Sequence, residues 1–179
     1  MLKGRHIDIM GIINLTDDSF YAESRCVDQE AVLERAGQMI AEGATILDFG
    51  ASSSRPGSEP VGPDEEWRRL EPALSAVRDR WPEVEISIDT TWSSVVSRAY
   101  DLIGEIWVND ISSGQDDPQM LPLVGKLGLK YIAMHKRGDA RTMQSMTDYD
   151  DVVEDVIGFF KEFAVKAQEC GVRNWILDP

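Results

Sequence analysis

The sequence predicts an α/β protein of the (β/α)8 TIM-barrel class, with about six strands and five helices present and the C-terminal units absent. Three observations lead there. Short β-branched runs alternate with longer amphipathic patterns in the order βαβαβαβαβαβ. The first strand runs into Asn14-Leu15-Thr16-Asp17-Asp18-Ser19-Phe20, without the glycine-rich phosphate turn of a doubly wound sheet. Every strand candidate ends in polar residues, and in a barrel those ends meet at one mouth. A full barrel takes ~250 residues, so a chain of 179 reads as three quarters of one: a single partial domain over 1–179.

The strand candidates are 7–13, 45–49, 85–88, 106–108, 131–134 and 175–177, each short, mostly apolar and free of proline. That composition suits strands buried on both faces of a parallel sheet. Between them, Asp28 is placed to cap a helix with Val32, Leu33, Ala36, Met39 and Ile40 on one face, stopped by Gly43. Asp64 starts a second, with Trp67, Leu70, Leu74 and Val77 inward and Pro72 expected to kink or break it. Thr91 opens a third around Val95, Val96 and Ala99. Asp117-Pro118 opens a fourth, closed by Gly128. The fifth carries Val152, Val153, Val156, Ile157, Phe160, Phe163, Ala164 and Ala167 at helical spacing and ends at Gly171.

Apolar residues make up 42% of the chain and charged residues 28%, as in ordinary soluble domains. A formal charge of −14 argues against a nucleic-acid or anionic-membrane surface, both of which need a positive field. It leaves room for a small anion held by a few local donors. No apolar run has the length of a membrane span. Cys26 and Cys170, the only cysteines, lie far apart, and with no signal-peptide core after Met1 a reducing cytoplasm is the expected location.

The strand exits carry Asn14 and Thr16; Ser52-Ser53-Ser54-Arg55-Pro56-Gly57; Asp89-Thr90; Asn109-Asp110; His135-Lys136-Arg137-Gly138; and Asp178. Each has an ordinary alternative. Asp89 or Thr90 serves as a helix cap, Asn109-Asp110 as turn chemistry, the serines as loop, and His135 as a satisfied histidine behind the site. Together they suggest more. Asp89, Asp178 and Asn109 offer mainly acceptors, matching the amino and ring N–H donors of a flat heterocycle. Ser54, Arg55 and the Pro56-Gly57 turn, with Asn14, suit an anion or a metal–phosphate group. No nucleophile–base pair and no His/Cys cluster of zinc spacing stands out, so the site is expected to bind and orient.

Met10-Gly11-Ile12-Ile13-Asn14-Leu15-Thr16-Asp17-Asp18-Ser19-Phe20 resembles the first-strand signature of the dihydropteroate synthases. Asp48-Phe49-Gly50-Ala51-Ser52-Ser53-Ser54-Arg55-Pro56-Gly57 is similar to their second signature. Ser87-Ile88-Asp89-Thr90, Val108-Asn109-Asp110-Ile111, Met134-His135 with Gly138, Met143-Gln144 and Leu177-Asp178-Pro179 follow in family order. The resemblance implies a (β/α)8 barrel of folate synthesis and a sulfonamide target. In its reaction, the amine of p-aminobenzoate displaces pyrophosphate from 6-hydroxymethyl-7,8-dihydropterin pyrophosphate. It implies that Asp89, Asn109, Met134 and Asp178 hold the pterin, and that Asn14 meets Mg²⁺ and pyrophosphate. By the same resemblance Ser54, Arg55 and Pro56 lie by pyrophosphate and p-aminobenzoate, Asn14, Arg55 and Asp89 make up the catalytic set, and the full-length protein is a homodimer.

The sequence departs from the family pattern at Ala51, Ser52 and Ser54, where the family usually has Gly, Glu and Thr, and at Asp17 and the 21–24 run of the first loop. The family continues past its Leu-Asp-Pro motif with Gly-Phe-Lys, Ser-Arg-Lys and Arg-x-His segments. The 179 residues alone are therefore expected to leave strands one and six with unpaired edges and to be inactive. Two alternatives accompany this expectation: a pterin-binding methyltransferase barrel acting on a corrinoid, and a non-catalytic truncated pterin-binding homologue. The Ser-Arg-Pro-Gly and Asn-Leu-Thr-Asp-Asp-Ser-Phe loops favour the synthase.

Overall fold

The computed structural model describes residues 7–15, 25–52, 61–138, 142 and 145–179. Six strands form one parallel sheet: β1 (Met10–Asn14), β2 (Ile46–Gly50), β3 (Glu85–Asp89), β4 (Trp107–Asp110), β5 (Lys130–Met134) and β6 (Asn174–Asp178). Five helices alternate with them: α1 (Arg25–Ala41), α2 (Pro63–Arg80), α3 (Ser93–Ile103), α4 (Met120–Leu127) and α5 (Val152–Glu169). Strand order equals chain order, β1 to β6, and every neighbouring pair is parallel. Right-handed crossovers in an unreversed order put all the helices on one face. This is the winding of a (β/α)8 barrel, as the sequence predicts.

Side chains alternate across each strand, so one set faces the helices and the other the helix-free concave side. Ile13, Leu47, Phe49, Ile86, Ile88, Val108, Tyr131 and Ala133 belong to the helix-facing set and are almost fully buried. They join Val32, Ala36, Leu70, Leu74, Val77, Val95, Val96, Ala99, Phe160 and Phe163 in one core. Burying such side chains contributes about 1.5–3 kcal/mol each, so this layer dominates the fold.

Several boundaries differ from expectation. β1 begins at Met10, and Ile7 and Ile9 are exposed. Burial on both faces holds for β2 and β3 but not for β1 or β6, which sit at the sheet edges with one strand neighbour each. α1 starts at Arg25, so position 28 lies inside the helix and not at its start. α2 runs through Pro72 as one helix, and the Pro72 carbonyl accepts from Gln29 Nε2 of α1 at 3.2 Å. α3 starts at Ser93, after Trp92. α4 starts at Met120; Asp117 precedes it in a turn and accepts N–H groups from both Ser93 and Gln119. In α5, Val152, Val153 and Ile157 are exposed, and the buried stripe is limited to Phe160, Phe163 and Ala167. Asp151 caps this helix through the N–H groups of Val153 and Glu154. Gly128 and Gly171 close α4 and α5 in the left-handed region, as predicted.

Candidate functional site

The predicted polar exits are mostly the last residues of the strands themselves, and ladder register aligns them. Asn14 pairs with Gly50, Gly50 with Asp89, and Asp89 with Asn109. Met134 pairs with Asp178. The two-residue period carries all of these onto the concave face at the C-terminal end of the sheet.

Gly50 has a local purpose. A Cβ built there would lie 3.1 Å from Asp89 Oδ2 and 3.4 Å from Asn14 Oδ1. The bare glycine thus lets Asn14 and Asp89 flank a gap in which no side chain intervenes. Asp48, two residues earlier on the same face, is buried and accepts from Asn109 Nδ2 at 3.1 Å. That bond fixes the Asn109 amide. Thr90 N donates to the Asn109 carbonyl, tying the ends of β3 and β4 together.

The acids here are held in tension. Burial raises Asp89 to about 7, helped by the negative charges of Asp48, Glu66 and Asp110. Burial also raises Asp48, against the favourable influence of Ser87 and Asn109, and its Oδ1 has no hydrogen-bond partner. Glu66, near the start of α2 and almost wholly buried, is raised by burial to about 7, partly offset by Thr90 and Arg69. Such a surface favours a ligand that brings N–H donors and so relieves the ionised carboxylates.

Other exits fall elsewhere. Asp110 points to the helix side and organises its own loop, so the turn alternative applies to it while Asn109 faces the mouth. Thr90 Oγ1 accepts from Trp92 N, which is also turn chemistry. His135 packs among Phe159, Phe160 and Tyr149, edge-on to Phe159 at 5.1 Å, away from the concave face. Its backbone N–H donates to the Asp178 carbonyl at 2.8 Å and so sets the end of β6. Lys136 is buried and paired with Asp116 at 3.0 Å. Thr16, Ser54, Arg55, Pro56, Gly57, Met143 and Gln144 lie outside the described residues.

Sequence reasoning included Asp48 and Gly50 in a signature without giving them a role, and missed Glu66 and Arg69. Counting back by two from Gly50 finds Asp48. Glu66 is hidden in Asp64-Glu65-Glu66, which reads as a solvated first turn. Arg69 donates to Glu65 and, at 3.2 Å, to the Ala51 carbonyl, pinning α2 to the exit of β2 from which the Ser54-Arg55 segment follows. Among the described residues no group of three or more His, Cys, Asp or Glu is arranged to hold a metal, and no helix is long and apolar enough to cross a membrane.

Residues 10–179 match the profile of the family described as pterin binding enzyme. The folic acid synthesis protein of Schizosaccharomyces pombe is 40% identical over 173 residues, covering 95% of this chain and 23% of the relative. The dihydropteroate synthase of Escherichia coli is 36% identical over 176 residues, covering 97% of this chain and 61% of the relative. A solved Clostridium difficile dihydropteroate synthase, crystallised in the presence of pteroic acid, superposes with a TM-score of 0.87 at 33% identity. That match covers 100% of this chain and 66% of the other. The chain therefore spans less than two thirds of the length of each of these proteins.

Proposed function

The chain belongs to the pterin binding enzyme family, and we propose that it carries the pterin half of a dihydropteroate synthase site. The observation that carries this is the aligned row Asn14–Gly50–Asp89–Asn109, with Met134–Asp178 beside it, at one end of one face of the sheet. Asp89, Asn109 and Asp178 bind the amino and ring N–H edge of the pterin, and Met134 covers its face. Asn14, on the far side of the Gly50 gap, faces the pyrophosphate, together with Ser54, Arg55 and Pro56. The similarity to a synthase crystallised in the presence of pteroic acid, in which pterin and p-aminobenzoate are already joined, supports a pterin site.

In the reaction the amine nitrogen of p-aminobenzoate forms a bond to the pterin methylene carbon. The carbon–oxygen bond to pyrophosphate breaks, and the amine loses a proton. The chain's contribution is orientation of a weak nucleophile and fixed dipoles for the departing charge. Mg²⁺ usually keeps several waters and binds one or two protein oxygens plus substrate phosphates, so the single Asn14 amide oxygen fits it. When bound, it would neutralise charge developing on pyrophosphate. A cytoplasmic homodimer is the proposed working form of the full-length protein, testable by sedimentation and fractionation.

Pyrophosphate release from both substrates with Mg²⁺, assayed on the natural full-length protein, tests the activity. Methyl transfer to a corrinoid without pyrophosphate release would select the alternative barrel enzyme. Asn14→Ala should lower turnover and metal dependence while leaving affinity for the pyrophosphate-free pterin alcohol nearly intact. Equal loss of affinity for both ligands would contradict its assignment to the pyrophosphate.

A further inference from the structure

Asp110 is fully buried on the helix side of β4, next in sequence to Asn109 on the concave side. Its carboxylate takes four donors. Oδ1 accepts from Ser112 N and Ser112 Oγ, both at 2.7 Å. Oδ2 accepts from Gly114 N at 2.9 Å and from the Tyr131 hydroxyl of β5 at 2.6 Å. The loop so gathered contains Ser113, whose φ of +53° lies in the left-handed region where a side chain is strained. Ser113 Oγ donates to the Met134 carbonyl at 2.8 Å. The Lys136–Asp116 pair ties the same two loops a second time.

Glycine would occupy position 113 without strain and satisfy the turn equally well. What serine adds is the bond to Met134. The Asp110 network therefore joins the ends of two strands at the level of the pterin pocket, beyond what closing one loop requires.

We propose that Asp110 is a positioning residue, acting through Tyr131 and Ser113 to hold Asn109 and Met134 in the relation that grips the edge and face of the pterin ring. This rests on the pterin site proposed above. None of the three acting groups, Asp110, Tyr131 or Ser113, needs to touch the ligand; each sets where a contacting residue stands.

The test uses the natural full-length protein, titrated with 6-hydroxymethylpterin by calorimetry, with melting curves and substrate kinetics alongside. Ser113→Gly should melt at the same temperature or higher, yet bind the pterin three- to tenfold more weakly, with KM for p-aminobenzoate unchanged. Tyr131→Phe should weaken pterin binding to a similar degree, and Asp110→Asn by tenfold or more. If Asp110→Asn does not fold, Ser113→Gly still decides, because relief of strain should not impair folding. Parental pterin affinity in a folded Ser113→Gly variant overturns the proposal. So does an equal rise in KM for both substrates. A parent protein that binds no pterin removes the site itself, a different failure from a binding parent whose variants bind equally well.

Discussion

β2 and β6 are similar pentapeptides in different surroundings. Ile-Leu-Asp-Phe-Gly is buried at all five positions, while Asn-Trp-Ile-Leu-Asp is exposed at four of five. Ile176 is 49% exposed and Asp48 only 3%. Burial here is thus conferred by having strands on both sides and helices above, and a residue's own hydrophobicity is secondary. The same contrast divides the site. Asp89 and Asn109 stand on strands with neighbours on either side, braced by Asp48 and Thr90. Asp178 ends an edge strand and is tied to β5 through its carbonyl.

The contrast is sharpest in the core. Phe49→Ala, at the buried centre of β2, should cost about 3–5 kcal/mol of stability by the usual aromatic truncation penalty. Denaturant unfolding that shows under 1 kcal/mol would mean that the central strands are not the stable part.

Asp178 should behave in the opposite manner, with its weight in binding. Asp178→Ala in the natural full-length protein should weaken pterin binding by at least ~1.5–3 kcal/mol, typical for hydrogen bonds to charged groups. Unchanged affinity by calorimetry removes Asp178 from the site.

Asp89 should combine the two behaviours. Its folded-state pKa of about 7 exceeds the ordinary carboxylate value, so the folded protein keeps a proton that the unfolded chain has released. Between about pH 4 and 7 the folded state therefore binds more protons, and stability falls as pH rises through that window. Asp89→Asn should lessen the fall, to which Glu66 also contributes, and raise stability at pH 7.5 by about 1–2 kcal/mol, while abolishing tight pterin binding. Pterin binding to the parent protein below pH 7 should release protons, seen as a buffer-dependent calorimetric enthalpy. A flat stability profile between pH 4 and 7 would show that Asp89 ionises normally.

The smallest effect belongs to the edge surface. In the 179-residue chain, Ile176→Thr should change stability by less than about 0.5 kcal/mol, since half-exposed positions have little burial to lose. A large loss would mean that the concave face of β6 is covered in solution.

Much of the fold was legible because period and punctuation agree. Val95, Val96 and Ala99 mark one helix face, and Gly128 and Gly171 stop their helices by left-handed backbone. Boundaries were less so. Asp117-Pro118 has the form of a helix start, yet Asp117 instead joins two loops by accepting N–H groups from Ser93 and Gln119. A local pattern carries no record of which distant donor will claim it. The α5 stripe was overestimated for a related reason: 3.6-residue spacing shows that Val153 and Ile157 can share a face, but not that anything packs against them.

The sequence by itself determined the alternation of strands and helices, the polar identity of each strand end, and the family signatures that those ends compose. Those are properties of residue order, expressed through backbone periodicity and local turn chemistry. Only the tertiary structure decided that Asn109 and Asp110, adjacent in the chain, serve opposite faces. It also decided that Asp48 braces Asn109, that Gly50 keeps the gap between Asn14 and Asp89, and that Glu66 is buried. Each depends on which strand lies beside which and in what register, and on the desolvation that follows when both sides of a strand are covered.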